Sequence, residues 1–402
     1  MSDESLTSLP CVVLGGGITA LGVVRSLGRS GLTPIVVSPR GDLAAKSRWA
    51  ERHIDDIPET DDPEAVVTAL TEHGVARAVL FPCSDTWAQA VARVSDDARE
   101  RYPASISEPD VLDALVDKAL FRAAATRFDV PLPQTRVIVS ASEIEPSEYD
   151  GFFLKPSNSQ RFSAQFSDKA FTFHNEAEAR QGLRMMAAAG VDALLQEYIP
   201  GPPTGHYFVD GYLDRDAIPR AIFVRRRTRM FPVAYGNSTN MVTVAPGAAE
   251  QAVTDLIRLL RGLGFHGTFS AEFKRDPRDG TFRLLEVNGR PWWYIGFAAD
   301  CGVDIARLSY REAVGLDLQT VERYRTGVRC VLLHLDVRAF LYERREHGLT
   351  FGTWLRSVLG ARSPVFAWSD PRPALHFVIG GTKNHLRAAL PPKLGKLLQR
   401  DA

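Results

Sequence analysis

The sequence predicts an α/β protein of several domains with an extension after residue 320. Three observations carry that prediction. Residues 10 to 31, PCVVLGGGITALGVVRSLGRSG, read as a buried strand, a glycine turn and a helix, and the strand TPIVVSP that follows completes a parallel βαβ unit. Residues 269 to 293, FSAEFKRDPRDGTFRLLEVNGRPWW, set two β-prone arms around the turn formers of DPRDG and read as a hairpin. Elsewhere, apolar strand-like runs alternate with amphipathic helices along 402 residues, a length that holds two to four domains.

Composition narrows the class. Lys plus Arg and Asp plus Glu are 48 each, so no basic excess points to nucleic acid. Cys11, Cys83, Cys301 and Cys330 are far apart, with no paired spacing for zinc. The start, MSDESLTSLP, is acidic and polar rather than basic, unlike a secretory signal. No apolar run reaches the roughly 18 residues of a membrane helix. The expectation is therefore a cytoplasmic protein without an integral membrane segment.

In the N-terminal unit the glycines follow a GxGxxxxG spacing, and the second strand ends at Ser38 without the acidic residue that would hold a ribose. The turn serves either a ligand or simply the close approach of the helix. ARAVLFPCSDTWAQAVARV adds a strand and helix, with Ser84 and Asp85 at the strand's carboxyl end, where open α/β sheets place ligands; Asp85 serves there or, the preferred reading, as a helix N-cap.

VLDALVDKALFRAAATRFDV reads as one amphipathic helix carrying Lys118. Lys155 leaves the apolar strand GFFLKP into the polar loop SNSQRFS, a place suited to a phosphate covered by backbone N–H groups. Lys169 in FSDKAFTF reads as a surface lysine. In ALLQEYIPG the strand runs into Gln196, Glu197, Tyr198 and Ile199. Such a segment either offers its backbone to an adenine edge, with Gln196 on the amino group and Ile199 on the ring, or is a plain strand and turn. VRRRTRMF alternates so that Arg225, Arg227 and Arg229 share a face suited to phosphate or carboxylate, or to solvent.

On the second hairpin arm Glu286 and Asn288, two apart, point the same way. Glu272 joins them if the loop holds an odd number of residues. Two carboxylates and an amide converging beside Leu284, Leu285 and two tryptophans fit a hard cation, and Mg²⁺ on nucleotide phosphates is the usual one. Arg290 follows on the same side, suited to a phosphoryl oxygen. A hairpin with a solvated polar face is the plainer reading.

Taken in order, Lys118 in DKALF, Lys155 in FFLKP, QEYIPG, SAEFKRD and LLEVNGRPWW resemble the ATP-grasp superfamily of carboxylate–amine and carboxylate–thiol ligases, over roughly residues 8 to 315. The wording is most similar to the D-aspartate-ligase-like branch. The resemblance implies a Rossmann-like domain (1–110), a linker helix with a small α+β lid (111–195), a larger α+β lobe with the metal site (196–320) and an appendage (321–402). It implies that Lys118 and Lys155 contact ATP phosphates, that Gln196 and the backbone of Glu197, Tyr198 and Ile199 hold adenine, and that Glu272, Glu286 and Asn288 bind two Mg²⁺ ions, or Mn²⁺. Arg290, with Lys155, would serve phosphoryl transfer. Two departures stand out. Pro203 occupies the position of the ribose carboxylate, leaving Glu197 or His206 as substitutes, and the phosphate-covering loop is not glycine-rich.

The implied activity is ATP-dependent amide formation between small carboxylate and amine substrates, an amino acid or small peptide, through an acyl phosphate. Arg227, Arg229, Trp292 and Trp293, near Arg290 in the expected fold, are the substrate candidates. Alternatives are a thiol ligase or kinase of the same fold, a scaffold that keeps the fold without catalysis, and a nicotinamide oxidoreductase, which would leave the Glu272, Glu286 and Asn288 set unexplained. After residue 320, VRCVLLHLDVRAFLYERRE predicts a strand and helix, GTWLRSVLG a short helix, and KNHLRAALPPKLGKLLQR a basic end. The expected roles are a homodimer contact, a lid over the acceptor site, or weak contact of the basic end with a membrane or partner.

Overall fold

Three sheets organise the chain. A computed structural model describes residues 9–157, 162, 170–232 and 236–378. The first sheet contains β1 (Cys11–Leu14), β2 (Pro34–Val37), β3 (Arg52–Ile54) and β4 (Val79–Pro82), all parallel in the order β3-β2-β1-β4. β1 and β4 are fully buried, which their unbroken apolar runs anticipate. The turn after β1 needs glycine, because Gly15 and Gly17 have φ of 114° and 72°. The Gly17 N–H, first in the helix Gly17–Arg29, donates to Asp42 Oδ2 at 2.7 Å. A carboxylate of the chain itself thus occupies the helix N-terminus where a pyrophosphate would sit in a dinucleotide site.

The second sheet contains β5 (Thr135–Ile138), β6 (Phe152–Pro156), β7 (Phe171–Thr172) and β8 (Ala193–Glu197) in the antiparallel order β5-β8-β6-β7. The edge expected after residue 195 falls inside β8. The helix expected through residue 118 is two helices, Pro109–Val116 and Lys118–Arg127, because Asp117 is extended and its carboxylate caps the second through the Ala119 and Leu120 N–H groups.

The third sheet contains β9 (His206–Leu213), β10 (Pro219–Phe231), β11 (Asn237–Val244), β12 (Gly267–Arg275), β13 (Phe282–Asn288) and β14 (Arg329–Val331), in the order β13-β12-β9-β10-β11-β14. β14 comes from the expected appendage, so that segment completes the sheet rather than hanging beside it. Helices Leu333–His347 and Phe351–Val358 follow as expected. Asp336, fully buried, receives both Arg229 nitrogens at 2.9 and 2.6 Å, the Thr239 hydroxyl and the Trp354 indole N–H. Asp370, equally buried, accepts from Arg25, Ser47 and the Arg48 N–H in the N-terminal domain.

Two large apolar clusters each draw on the first and third sheets: one joins Leu14 and Leu80 to Phe269 and Leu284, the other Val13 and Leu27 to Phe223 and Phe297. The second sheet has a separate cluster around Leu154, Phe173 and Leu195. The first and third sheets are thus one packed unit, and the small sheet is attached to it. Among the described residues no helix is long and apolar enough to cross a membrane. The basic end and Lys169 lie outside the described residues, as does most of the SNSQRFS loop.

Candidate active site

A cavity of about 400 Å³ opens between the second and third sheets, within the roughly 300–1,000 Å³ of small-molecule sites. One wall is the predicted hairpin, but its register differs from the expectation in an instructive way. Arg275 pairs with Phe282, which leaves six residues in the loop. An even loop alone would set Glu272 opposite Leu285. A bulge between Glu272 and Phe273 shifts the register, so that Glu272 lies opposite Glu286 and Ser270 opposite Asn288. Both glutamates and Asn288 line the cavity.

Glu272 Oε1 accepts from His206 Nδ1 at 2.7 Å and from Arg227 at 3.0 Å. Burial alone would raise its pKa, yet the Arg227 charge and the His206 hydrogen bond hold it at about 2. Burial drives His206 the other way, down to about 4, against the pull of Glu272. A neutral imidazole therefore donates to an ionised carboxylate. Glu286, directly opposite, has no hydrogen-bond or ion-pair partner among the described residues, and like charges facing across a ladder are unfavourable. Two carboxylates and one amide oxygen make an all-oxygen donor set that fits a hard cation such as Mg²⁺. Among the described residues no group of three His, Cys, Asp or Glu side chains could hold a metal, and this set differs by containing Asn288.

Lys118 and Lys155 line the same cavity from the linker helix and β6. Lys155 Nζ donates to Gln196 Oε1 at 3.0 Å. Its pKa falls to about 8, chiefly by burial and then by Lys118, with Glu286 and Glu272 opposing. Both lysines thus bring positive charge to the cavity.

Gln196, Glu197, Tyr198 and Ile199 form another wall. The Glu197 and Tyr198 N–H groups already donate to Gln134 O and Gly151 O, both at 2.8 Å. The Ile199 N–H has no acceptor among the described residues, which narrows the expected backbone donor to Ile199. The Glu197 carboxylate holds Arg278 at 2.6 Å and the Gln134 N–H, and His206 holds Glu272. Both expected ribose substitutes are thus already engaged by the protein.

The arginines of β10 part company because a bulge follows Arg227. Arg225 pairs with buried Asp210 at 2.5 Å, Arg227 reaches the cavity through Glu272, and Arg229 is turned away to Asp336. Of the predicted substrate residues only Arg227 lines the cavity. Trp292 is buried with an indole N–H that finds no partner among the described residues, and Trp293 is 41% exposed. Arg290 stands just outside the lining, its guanidinium held by Asp85 at 2.7 and 3.0 Å and by Asn288 Oδ1 at 3.1 Å.

Asp85 is not the expected cap. Ser84 caps the helix through the Trp87 N–H, and Asp85 in the first turn is free to bind Arg290. Sequence reasoning also missed Lys274, which lines the cavity with its ammonium 4.7 Å from the centre of the Tyr198 ring. The signal was present, since Lys274 lies two positions from Glu272 on the same strand face.

No family model matches the chain. A D-aspartate ligase of Enterococcus faecium (strain Aus0004) is 23% identical over 323 residues, 75% of this chain and 76% of the relative. An L-amino acid ligase from Bacillus licheniformis superposes with a TM-score of 0.60 at 14% identity, covering 81% of this chain and 79% of that one. An N5-carboxyaminoimidazole synthetase from Staphylococcus aureus gives 0.60 at 14%, covering 86% and 89%. The chain has an ATP-grasp fold.

Proposed function

We propose that this chain is an ATP-dependent carboxylate–amine ligase acting on an amino acid or small peptide. The observation that carries the reading is the juxtaposition of Glu272 and Glu286 across the β12–β13 ladder, in the cavity that also holds Lys118 and Lys155. Lys118 and Lys155 bind ATP phosphates; Ile199 offers its N–H to adenine and packs against the ring. Glu272, Glu286 and Asn288 hold Mg²⁺, with Mn²⁺ as a substitute, and the metal supplies charge stabilisation on the phosphates.

The substrate carboxylate attacks the γ-phosphorus; the bond to the bridging oxygen of ADP breaks and an acyl phosphate forms. The amine then attacks the acyl carbon, phosphate departs with the C–O bond electrons, and the amine proton is lost to yield the amide. The chain contributes position and charge. Arg290, fixed by Asp85, presents its guanidinium beside Asn288, where negative charge develops on the transferred group.

The test is an ADP-release screen across amino acid and peptide carboxylates paired with amines, with Glu286→Ala as the control. Amide and ADP should appear together and vanish in the variant. ADP release that survives Glu286→Ala removes the metal assignment, and failure to bind Mg·ATP removes the ligase reading.

A further inference from the structure

The helix Leu333–His347 is pinned on one side and, among the described residues, bare on the other. Its Asp336, Ala339 and Phe340 are buried, Asp336 held by Arg229 and Thr239 of the third sheet and by Trp354, and Phe340 stacked on the Trp354 ring at 4.9 Å. That anchoring fixes what the opposite side presents. Leu333, Val337 and Leu341 are 50%, 38% and 58% exposed, and at i, i+4 and i+8 they form one apolar row. Arg344 and Arg345, three and four positions past Leu341, continue the same face, and Arg338 flanks it; all three are exposed. The helical segment that carries Leu375 and Val378 packs alongside through the Phe377 and His334 rings, 4.8 Å apart, and these two apolar side chains are also more than 60% exposed.

Charge separates this region from the rest. Residues 329–402 contain twelve Lys and Arg against five Asp and Glu, a net of +7, so the preceding 328 residues carry −7 in a chain that is neutral overall. Within the described residues 329–378, seven arginines stand against four acids, and two of those acids, Asp336 and Asp370, are buried in ion pairs with Arg229 and Arg25, which leaves the outer surface of this part more basic than the count. An apolar row bordered by arginines on a net-positive segment has the makeup of an interfacial helix. A two-fold contact with a second copy would instead set this basic face against itself.

We propose that the face made by helix Leu333–His347 docks the protein on an anionic phospholipid surface, with Leu333, Val337 and Leu341 entering the headgroup boundary and the arginines meeting lipid phosphates. The docking does not depend on the ligase reading, because none of these residues lines the cavity.

The experiment is co-sedimentation of the full chain with vesicles of mixed phosphatidylglycerol and phosphatidylcholine, compared with phosphatidylcholine alone. A doubly substituted chain, Val337→Glu with Leu341→Glu, is run in parallel; its urea unfolding and ADP release should match the parent, since both positions face solvent. Binding to anionic vesicles should be about tenfold stronger than to neutral ones, drop about tenfold in the double variant, and weaken at about 1 M salt, where the Debye length is about 3 Å. Absence of sedimentation with anionic vesicles overturns the proposal. Sedimentation unchanged in the double variant also does, since it assigns binding to another segment such as 379–402. A dimer in light scattering that the double variant abolishes gives the face to a second copy and overturns it equally.

Discussion

Asp85 and Arg290, 205 residues apart, form a two-pronged ion pair, Nε to Oδ1 at 2.7 Å and Nη2 to Oδ2 at 3.0 Å. One comes from the first helical turn after β4, the other from the chain just past β13, so the pair ties the N-terminal sheet to the candidate metal hairpin. Burial would lower the Arg290 pKa; Asp85, by charge and hydrogen bonds, keeps it above the ordinary arginine value. Asp85→Asn removes that charge and one of the two acceptors. The expected result is a fall of about 10- to 100-fold in kcat, the scale of losing a group that orients a reacting one, with KM for ATP nearly unchanged. A KM effect alone would place Arg290 in nucleotide binding instead.

Glu286→Gln should separate stability from function. With the repulsion against Glu272 gone, the metal-free chain should gain about 0.2–1 kcal/mol in urea unfolding. Mg²⁺ affinity, read by titration calorimetry in the presence of ATP, should fall about tenfold or more, because the charge of the ligands sets affinity for hard cations. Loss of stability in the metal-free variant would show that Glu286 has a protein partner.

Lys155 gives ATP binding a pH dependence. Its folded pKa of about 8 lies below the ordinary value of 10.5. Below pH 8 the ammonium is charged and attracts phosphate; above it the charge is lost in the free protein, and ATP Kd should rise by about tenfold near pH 9. Calorimetry across this range checks it, and Lys155→Met should bind weakly with a flat profile. Without ligand the sign reverses for stability. Between pH 8 and 10.5 the unfolded chain holds the proton that the folded chain has released, so this residue's contribution to stability increases as pH rises.

Asp336→Asn leaves Arg229 buried against a neutral acceptor. Removing one partner of a buried pair costs about 3–5 kcal/mol, and urea unfolding followed by tryptophan fluorescence should move by that order. Pairing it with Arg229→Met should restore most of the loss. An unperturbed single variant would mean that β14 and helix Leu333–His347 are not held by this pair.

Much of the cavity lining was legible because its placement is local. Lys155 sits at the end of its strand, Gln196 to Ile199 form a wall, and the Glu286-x-Asn288 spacing follows from the two-residue period of a strand. What misled were features that depend on distant partners. Asp85 looked like a cap because a Ser-Asp pair before a helix offers two candidates, and only the position of Arg290 decides between them. Arg229 looked like a ligand because its partner, Asp336, lies 107 positions away.

By itself the sequence determined the βαβ opening, the hairpin and the order of charged and apolar segments along the chain, since periodicity and turn chemistry act over a few residues. Only the tertiary structure decided which carboxylates remain open to a ligand. Glu197, Asp85, Asp336 and Asp42 are each satisfied by a group from another element, whereas Glu286 faces Glu272 across a bulge. That bulge moves the register by one residue, and in a ladder one residue is the difference between opposite faces.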